Sequence, residues 1–198
     1  MAYQRDRAIV LSKEYVRDYD RRYTLYGRDH GLITAFARGS SRPTSKHSAH
    51  LEPFTDVEVM IANGRHVDHI AVAKQSVGVR FCHVDSYTLC GRFSDVTRKR
   101  VRPGVPDARL YDLLTDVLSV AVWCDRMSLA RQQFMFSAGV AKLLNYLGHA
   151  LPFEQQTERD DWKLTEMHIR ILRLLRDAPL RDALRLTAKR DDLETVSQ

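Results

Sequence analysis

Between Ala8 and Ala73, β-forming residues gather in five short runs, each closed by a turn signal, and beyond about Val77 the apolar spacing changes to that of helices. The runs are Ala8–Ser12, Arg22–Tyr26, Leu32–Arg38, Val57–Ile61 and Val67–Ala73, with breaks at Arg28-Asp-His-Gly31, Gly39–Ser45 and Asn63-Gly64. Asn-Gly between two alternating runs is the signature of a type I′ hairpin. Five short antiparallel strands suit a small closed or partly open barrel, because a flat sheet would leave its edges unpaired. A block of strands followed by a block of helices is an α+β arrangement.

In the helical block, Asp107 is placed to cap a helix whose stripe is Leu110, Leu113, Leu114, Val117 and Leu118. Ser128 is placed to cap another that runs toward Leu147, with Gly148 where a left-handed cap is expected. A further helix is expected from Thr165, with Ile169, Leu172 and Leu175 on its stripe, ending near Ala178-Pro179, and a last one from Leu180 to about Lys189. Neither an internal repeat nor a low-complexity linker interrupts the chain. The expected division is a barrel domain over 1–78, packed directly on an all-helical domain over 79–198, which serves as scaffold and partner-binding half.

From His30 to Leu51 the chain has no Asp or Glu, yet it carries Arg38, Arg42, Lys46 and three histidines. A strand that ends in Arg38-Gly39 and opens into a Ser/Arg/Pro/Lys loop gathers backbone donors, hydroxyls and cations in one place, a combination suited to a phosphate chain. Alternation puts Ile33, Ala35 and Ala37 on one face of that strand, and Leu32, Thr34, Phe36 and Arg38 on the other. Phe36 is then either a base-stacking platform or a ring packed under a loop while Arg38 emerges at the rim. Tyr23 and Tyr26 fall on opposite faces of their strand, which puts at least one of them in the core. A second basic run, Arg98, Lys99, Arg100 and Arg102, precedes Pro103-Gly104 between helical segments. It either extends a nucleic-acid track or is a solvated interhelical loop. The formal charge of +6 attracts polyanions, of which nucleic acid is the commonest.

Other chemistries find little support. Cys82, Cys90 and Cys124 are odd in number and lack a Cys-x-x-Cys pair, which disfavours a disulfide framework or a four-cysteine zinc site and fits reduced cytoplasmic thiols. His66 and His69 are three apart on an expected strand and so face opposite ways, unsuited to one metal ion. Asp160-Asp161 reads as a helix start or loop rather than a two-metal centre. No phosphate-binding Gly-Lys loop, nucleophile elbow or His-Glu-x-x-His helix occurs, so no catalytic residue, metal or cofactor is expected. The charged N-terminus and the interrupted apolar run Val117–Trp123 disfavour secretion and membrane spanning.

The strings Asp20-Arg-Arg-Tyr-Thr-Leu-Tyr-Gly-Arg-Asp-His-Gly31, Ile33-Thr-Ala-Phe-Ala-Arg-Gly39 and Leu51-Glu-Pro-Phe54, in that order, resemble the N-terminal domain of the RecO family of recombination mediators. Lys142-Leu-Leu-Asn-Tyr-Leu-Gly-His-Ala-Leu-Pro-Phe153 and Ile171-Leu-Arg-Leu-Leu-Arg resemble its helical part more weakly. The resemblance implies a five-stranded OB-fold barrel, a helical domain, and a cytoplasmic, nucleoid-associated protein without enzymatic activity. Such a protein binds single- and double-stranded DNA, anneals complementary strands and assists RecA loading on DNA coated with single-stranded DNA-binding protein. It implies RecR and the acidic C-terminal tail of single-stranded DNA-binding protein as partners, with RecA acting indirectly. Arg38 then stands at the family's basic position before the glycine, Arg42 and Lys46 continue the loop, and Ser41 replaces a residue that is often basic. Pro152-Phe-Glu-Gln-Gln-Thr-Glu follows without the cysteines of the zinc module that many members carry.

An acidic, apolar-ended peptide needs an apolar groove with a cationic rim. The helix from Ser128 to Leu147, with Arg131 and Lys142, is one candidate, although a stripe of this kind is also what a core helix presents. Two other classes stay in view: an OB-fold RNA-binding factor of translation or RNA metabolism, and a protein-interaction scaffold whose charge is incidental.

Overall fold

The structure, a computed structural model, describes residues 2–42, 45, 50–77, 84–122 and 129–149. Five strands, β1 (Tyr3–Tyr15), β2 (Arg21–Gly27), β3 (Gly31–Ala37), β4 (Asp56–Ala62) and β5 (Asp68–Val77), are followed by α1 (Val84–Arg100), α2 (Ala108–Ala121) and α3 (Leu129–Tyr146). The strands form a closed barrel in the order β1-β2-β3-β5-β4. All pairings are antiparallel except the short β3–β5 one, which matches Ala35 with Asp68 and Phe36 with His69. This is the expected OB-fold barrel, and the whole is α+β.

Alternation fills the barrel. Ala8, Val10, Tyr23, Leu25, Ile33, Ala35, Ala37, Val57, Val59, Ile61 and Ile70 point inward with Leu51 from the loop before β4. Each large apolar side chain withdrawn from water contributes about 1.5–3 kcal/mol. Both tyrosines of β2 are buried. Tyr23 lies in the barrel, whereas Tyr26 faces outward, where its hydroxyl donates to the Asp107 carbonyl at 3.2 Å and accepts from the Asp107 amide at 3.1 Å. Burial raises the Tyr26 pKa. β1 is buried on both faces from Ala8 to Leu11, because α1 and α2 also contact it, and a bulge lies between Val10 and Ser12.

Two buried carboxylates fix the barrel's surroundings. Asp56, opening β4, accepts from Arg7 Nη2 at 2.6 Å and from the Tyr111 hydroxyl at 3.0 Å, tying β1 and β4 to α2. Asp6 accepts from the amides of Asp29 and His30 in the turn that joins β2 to β3, and faces His30 Nδ1 at 3.0 Å. Glycines border this turn for steric reasons: a Cβ on Gly27 would lie 2.0 Å from Asp6 Oδ2, and one on Gly31, at φ +69, would lie 2.4 Å from the Val105 carbonyl. The Tyr-Gly-Arg-Asp-His-Gly string is therefore written by backbone geometry.

The expected type I′ turn at Asn63-Gly64 does not form. Asn63–Val67 make a longer connection, neither Asn63 nor Gly64 has positive φ, and the Gly64 amide donates to Asp68 Oδ1 at 3.2 Å. Glycine is needed there for close approach, since a Cβ would meet the Val67 carbonyl at 2.0 Å.

Asp107 caps α2 as expected: its side chain accepts from the Arg109 amide at 2.9 Å, and its hydrogen bond to the Arg109 side chain holds its pKa below the usual carboxylate range. Gly148, at φ +79, ends α3 in a Schellman arrangement, with the His149 amide on Leu144 O and the Gly148 amide on Asn145 O. The chain divides into two compact units, Met1–Arg126 and Met127–Gln198, so α1 and α2 belong to the barrel's unit and α3 to the other. Ser128, the helices expected after Thr165 and Leu180, the zinc-module stretch after Pro152, Asp160-Asp161, Cys82 and Cys124 lie outside the described residues. Cys90 is buried and not in a disulfide. Among the described residues no helix is long and apolar enough to cross a membrane.

Candidate nucleic-acid interface

At the end of the barrel opposite the Asp6 turn, the connection from β1 to β2 is stitched to the turn that follows β3. Gly39, at φ +63, donates its amide to Asp20 Oδ1 at 2.8 Å; the Ser41 amide donates to Tyr19 O at 3.0 Å, and the Arg42 amide to Gly39 O at 3.1 Å. Within the β1–β2 connection, the Val16 amide donates to Asp20 O at 3.2 Å. Two loops distant in sequence thus form one surface, held together by the Asp20 carboxylate on the Gly39 amide and by the Ser41–Tyr19 backbone bond.

That surface is cationic and aromatic. Arg38 is exposed and has no carboxylate partner among the described residues. Arg42 is exposed, with its guanidinium 5.2 Å from the Tyr19 ring centroid. Arg21 sits 4.6 Å from the Tyr15 ring centroid and donates to the Tyr15 hydroxyl at 3.1 Å. Arg17 and Asp18 are exposed between them. Arg17, Arg21, Arg38 and Arg42 face two carboxylates, Asp18 and Asp20, and Asp20 is already occupied by the Gly39 amide. The positive balance read in one loop therefore survives when the acids of its neighbour are counted. Lys46 lies outside the described residues.

On the adjoining outer face of β3, Thr34 and Arg38 are exposed and Phe36 is half-buried, while Ile33, Ala35 and Ala37 point inward as alternation predicts. The Phe36 ring lies 6.4 Å from that of His69, tilted by 57°, so it packs against β5 with part of one side open. His66 is exposed in the β4–β5 connection, apart from the strand that carries His69, and no metal-ligand cluster occurs among the described residues.

The second basic run is not a simple interhelical loop. Arg98, Lys99 and Arg100 form the last turn of α1, where cations complement the helix C-terminus, and only Arg102 lies beyond it. Arg98 donates to Glu14 at 2.9 Å and lies 3.5 Å from Asp95; Glu14 also binds Arg22, whose hydrogen bond keeps the Glu14 pKa low. Arg98 and Arg22 thus have much of their charge neutralised, whereas Lys99, Arg100 and Arg102 are exposed. Pro103 bridges Leu32 at the start of β3, and the Gly104 amide donates to Leu32 O. The segment from Arg98 to Pro103 therefore passes from the Glu14–Arg22 pair to the start of β3.

The cationic rim expected on α3 is different. Lys142 is 4% exposed and already has a partner. It falls on the buried stripe with Met135, Ala138 and Leu143, so helical periodicity withdraws it from the surface. The Arg131 side chain lies outside the described residues. Tyr15 and Tyr19, which are 74% and 51% exposed, lie outside the strand runs and the acid-free loop that sequence patterning marks. The interleaving Tyr15-Val-Arg-Asp-Tyr-Asp-Arg21 was the available signal, since OB-fold barrels bind oligonucleotides on the β2–β3 face and the β1–β2 and β4–β5 loops.

Residues 1–76 match the family model described as Recombination protein O N terminal. A DNA repair protein RecO from Pelotomaculum thermopropionicum is 32% identical over 141 residues, covering 70% of this chain and 54% of the relative, so the chain spans about half the length of the curated relative it matches. With the barrel topology and the ordered strings of its first 54 residues accounted for, the chain belongs to the RecO family.

Proposed function

We propose that this chain is a non-enzymatic DNA-binding mediator of repair and recombination, whose barrel (1–78) holds the polynucleotide and whose helical part (79–198) carries partner contacts. The observation that carries the reading is the surface at the β1–β2 and post-β3 loops, where Arg38, Arg42, Arg21 and Arg17 outnumber carboxylates and alternate with aromatic rings. Lys46 extends that loop in sequence, and Lys99, Arg100 and Arg102 extend the basic track along the side of the barrel. The name of the relative, a DNA repair protein, agrees with this use.

A surface of this kind screens phosphates without reading base edges, which annealing requires: two backbones must approach and any complementary sequence must be accepted. The proposed activities are binding of single- and double-stranded DNA, annealing of complementary strands, and assistance to RecA on DNA coated with single-stranded DNA-binding protein. RecR and the tail of that protein are the proposed partners. Complementary oligonucleotides coated with single-stranded DNA-binding protein are expected to anneal at least tenfold faster, on the scale of electrostatically steered association, when this chain is added. Unchanged annealing would leave a binding module only, and a preference for RNA in competition with single-stranded DNA would favour an RNA-binding factor.

A further inference from the structure

We propose that Tyr15 and Tyr19 are nucleobase-stacking platforms that make this surface favour unpaired over paired DNA. The inference rests on the DNA-binding reading and specifies which strand form the site selects.

Two large aromatic rings stand in water at 74% and 51% exposure, Tyr15 at the end of β1 and Tyr19 on the loop that follows it and bounds the cationic surface. Each is paired with an arginine: Arg21 lies 4.6 Å from the Tyr15 centroid and Arg42 lies 5.2 Å from the Tyr19 centroid. A guanidinium over one face of a ring leaves the opposite face open. It also places a cation within reach of the phosphate that flanks a base stacked there. Each Tyr–Arg couple therefore offers what one nucleotide presents, a flat π-surface and a negative charge.

The frame is already ordered. The bonds Gly39 N to Asp20 Oδ1, Ser41 N to Tyr19 O and Val16 N to Asp20 O fix the loop that carries Tyr19. Tyr15 ends β1, paired in register with Arg21 of β2. Little conformational freedom remains to be lost when a base arrives. In a duplex the bases are stacked on one another and closed to these rings, while the phosphates stay accessible. The arginines thus serve both forms of DNA, and the tyrosines serve unpaired strands alone.

The test is fluorescence anisotropy of the full chain with a labelled 30-nucleotide oligo(dT) and a labelled 30-base-pair duplex, at several salt concentrations. Tyr15→Ala/Tyr19→Ala is expected to bind oligo(dT) about 10- to 100-fold more weakly, to bind the duplex within about twofold of the parent, and to keep the parent's salt slope. Tyr15→Phe/Tyr19→Phe is expected to retain oligo(dT) binding, and Tyr15→Leu/Tyr19→Leu to lose it as alanine does. Equal losses on both probes, or no loss on oligo(dT), overturn the stacking role while leaving the DNA-binding reading intact. A parent chain that binds neither probe overturns both.

Discussion

Replacing Arg38, Arg42 and Lys46 together by alanine is expected to weaken binding to single- and double-stranded oligonucleotides alike, on the order of 100-fold at 0.1 M salt, and to flatten the log–log salt dependence by about two to three. The figure follows from releasing about 0.7–0.9 counterions per phosphate contact over three contacts. Arg38 carries its share because it has no carboxylate partner among the described residues, and Arg42 because its contact, the Tyr19 ring, leaves its charge intact. Titration of labelled DNA between 50 and 400 mM salt reads both quantities. Wild-type affinity and slope in the triple variant would favour a protein scaffold whose charge is incidental. By contrast, Arg98→Ala removes a cation already bound by Glu14, and its effect on the slope is expected to be smaller than one contact.

The second large effect is on stability. Asp6→Ala is expected to destabilise the barrel by about 2–4 kcal/mol, because it removes the charged acceptor of the Asp29 and His30 amides, and a hydrogen bond to a charged group contributes about 1.5–3 kcal/mol. The Asp6 side chain is wholly buried, and Gly27 leaves it the space that a Cβ would fill. Urea denaturation measures the loss. The Asp6 turn lies at the end of β2–β3 opposite Arg21 and Ala37, so folded Asp6→Ala protein is expected to bind DNA as the parent does. A loss of stability below about 0.5 kcal/mol, the range of ordinary surface changes, would contradict this account of the turn.

Much of the barrel was legible because its strands alternate against turn residues, and each expected strand falls within or beside an observed one. The inward face of β3 was read correctly at Ile33, Ala35 and Ala37. α1 was not delineated because its buried stripe, Ser86, Leu89, Cys90, Phe93, Ser94 and Thr97, keeps helical period with small polar residues in half the places, so the apolar count is low. Thr97 satisfies its hydroxyl on the Phe93 carbonyl, which is how a polar residue occupies a buried helical position.

Asn63-Gly64 misled because glycine serves close approach as well as positive φ, and sequence does not separate the two uses. Lys142 misled because a cation at the edge of a stripe reads as a rim, whereas the helix turns it onto the buried face. Of the candidate site, Arg38 and Arg42 were legible from the acid-free loop. Their ring partners were not, because the stitching of Gly39 and Ser41 onto the β1–β2 connection is a tertiary event between segments about twenty residues apart.

In the proposed function the polynucleotide lies on the surface formed by the β1–β2 connection and the turn after β3. Photo-crosslinking with an oligonucleotide that carries 5-bromouracil, followed by peptide mapping, tests it directly. The account predicts adducts within 13–42, concentrated at Tyr15, Tyr19 and Phe36. Adducts confined to the outer face of β1–β4–β5, around Arg5, Met60 and Lys74, or to α3, would contradict it.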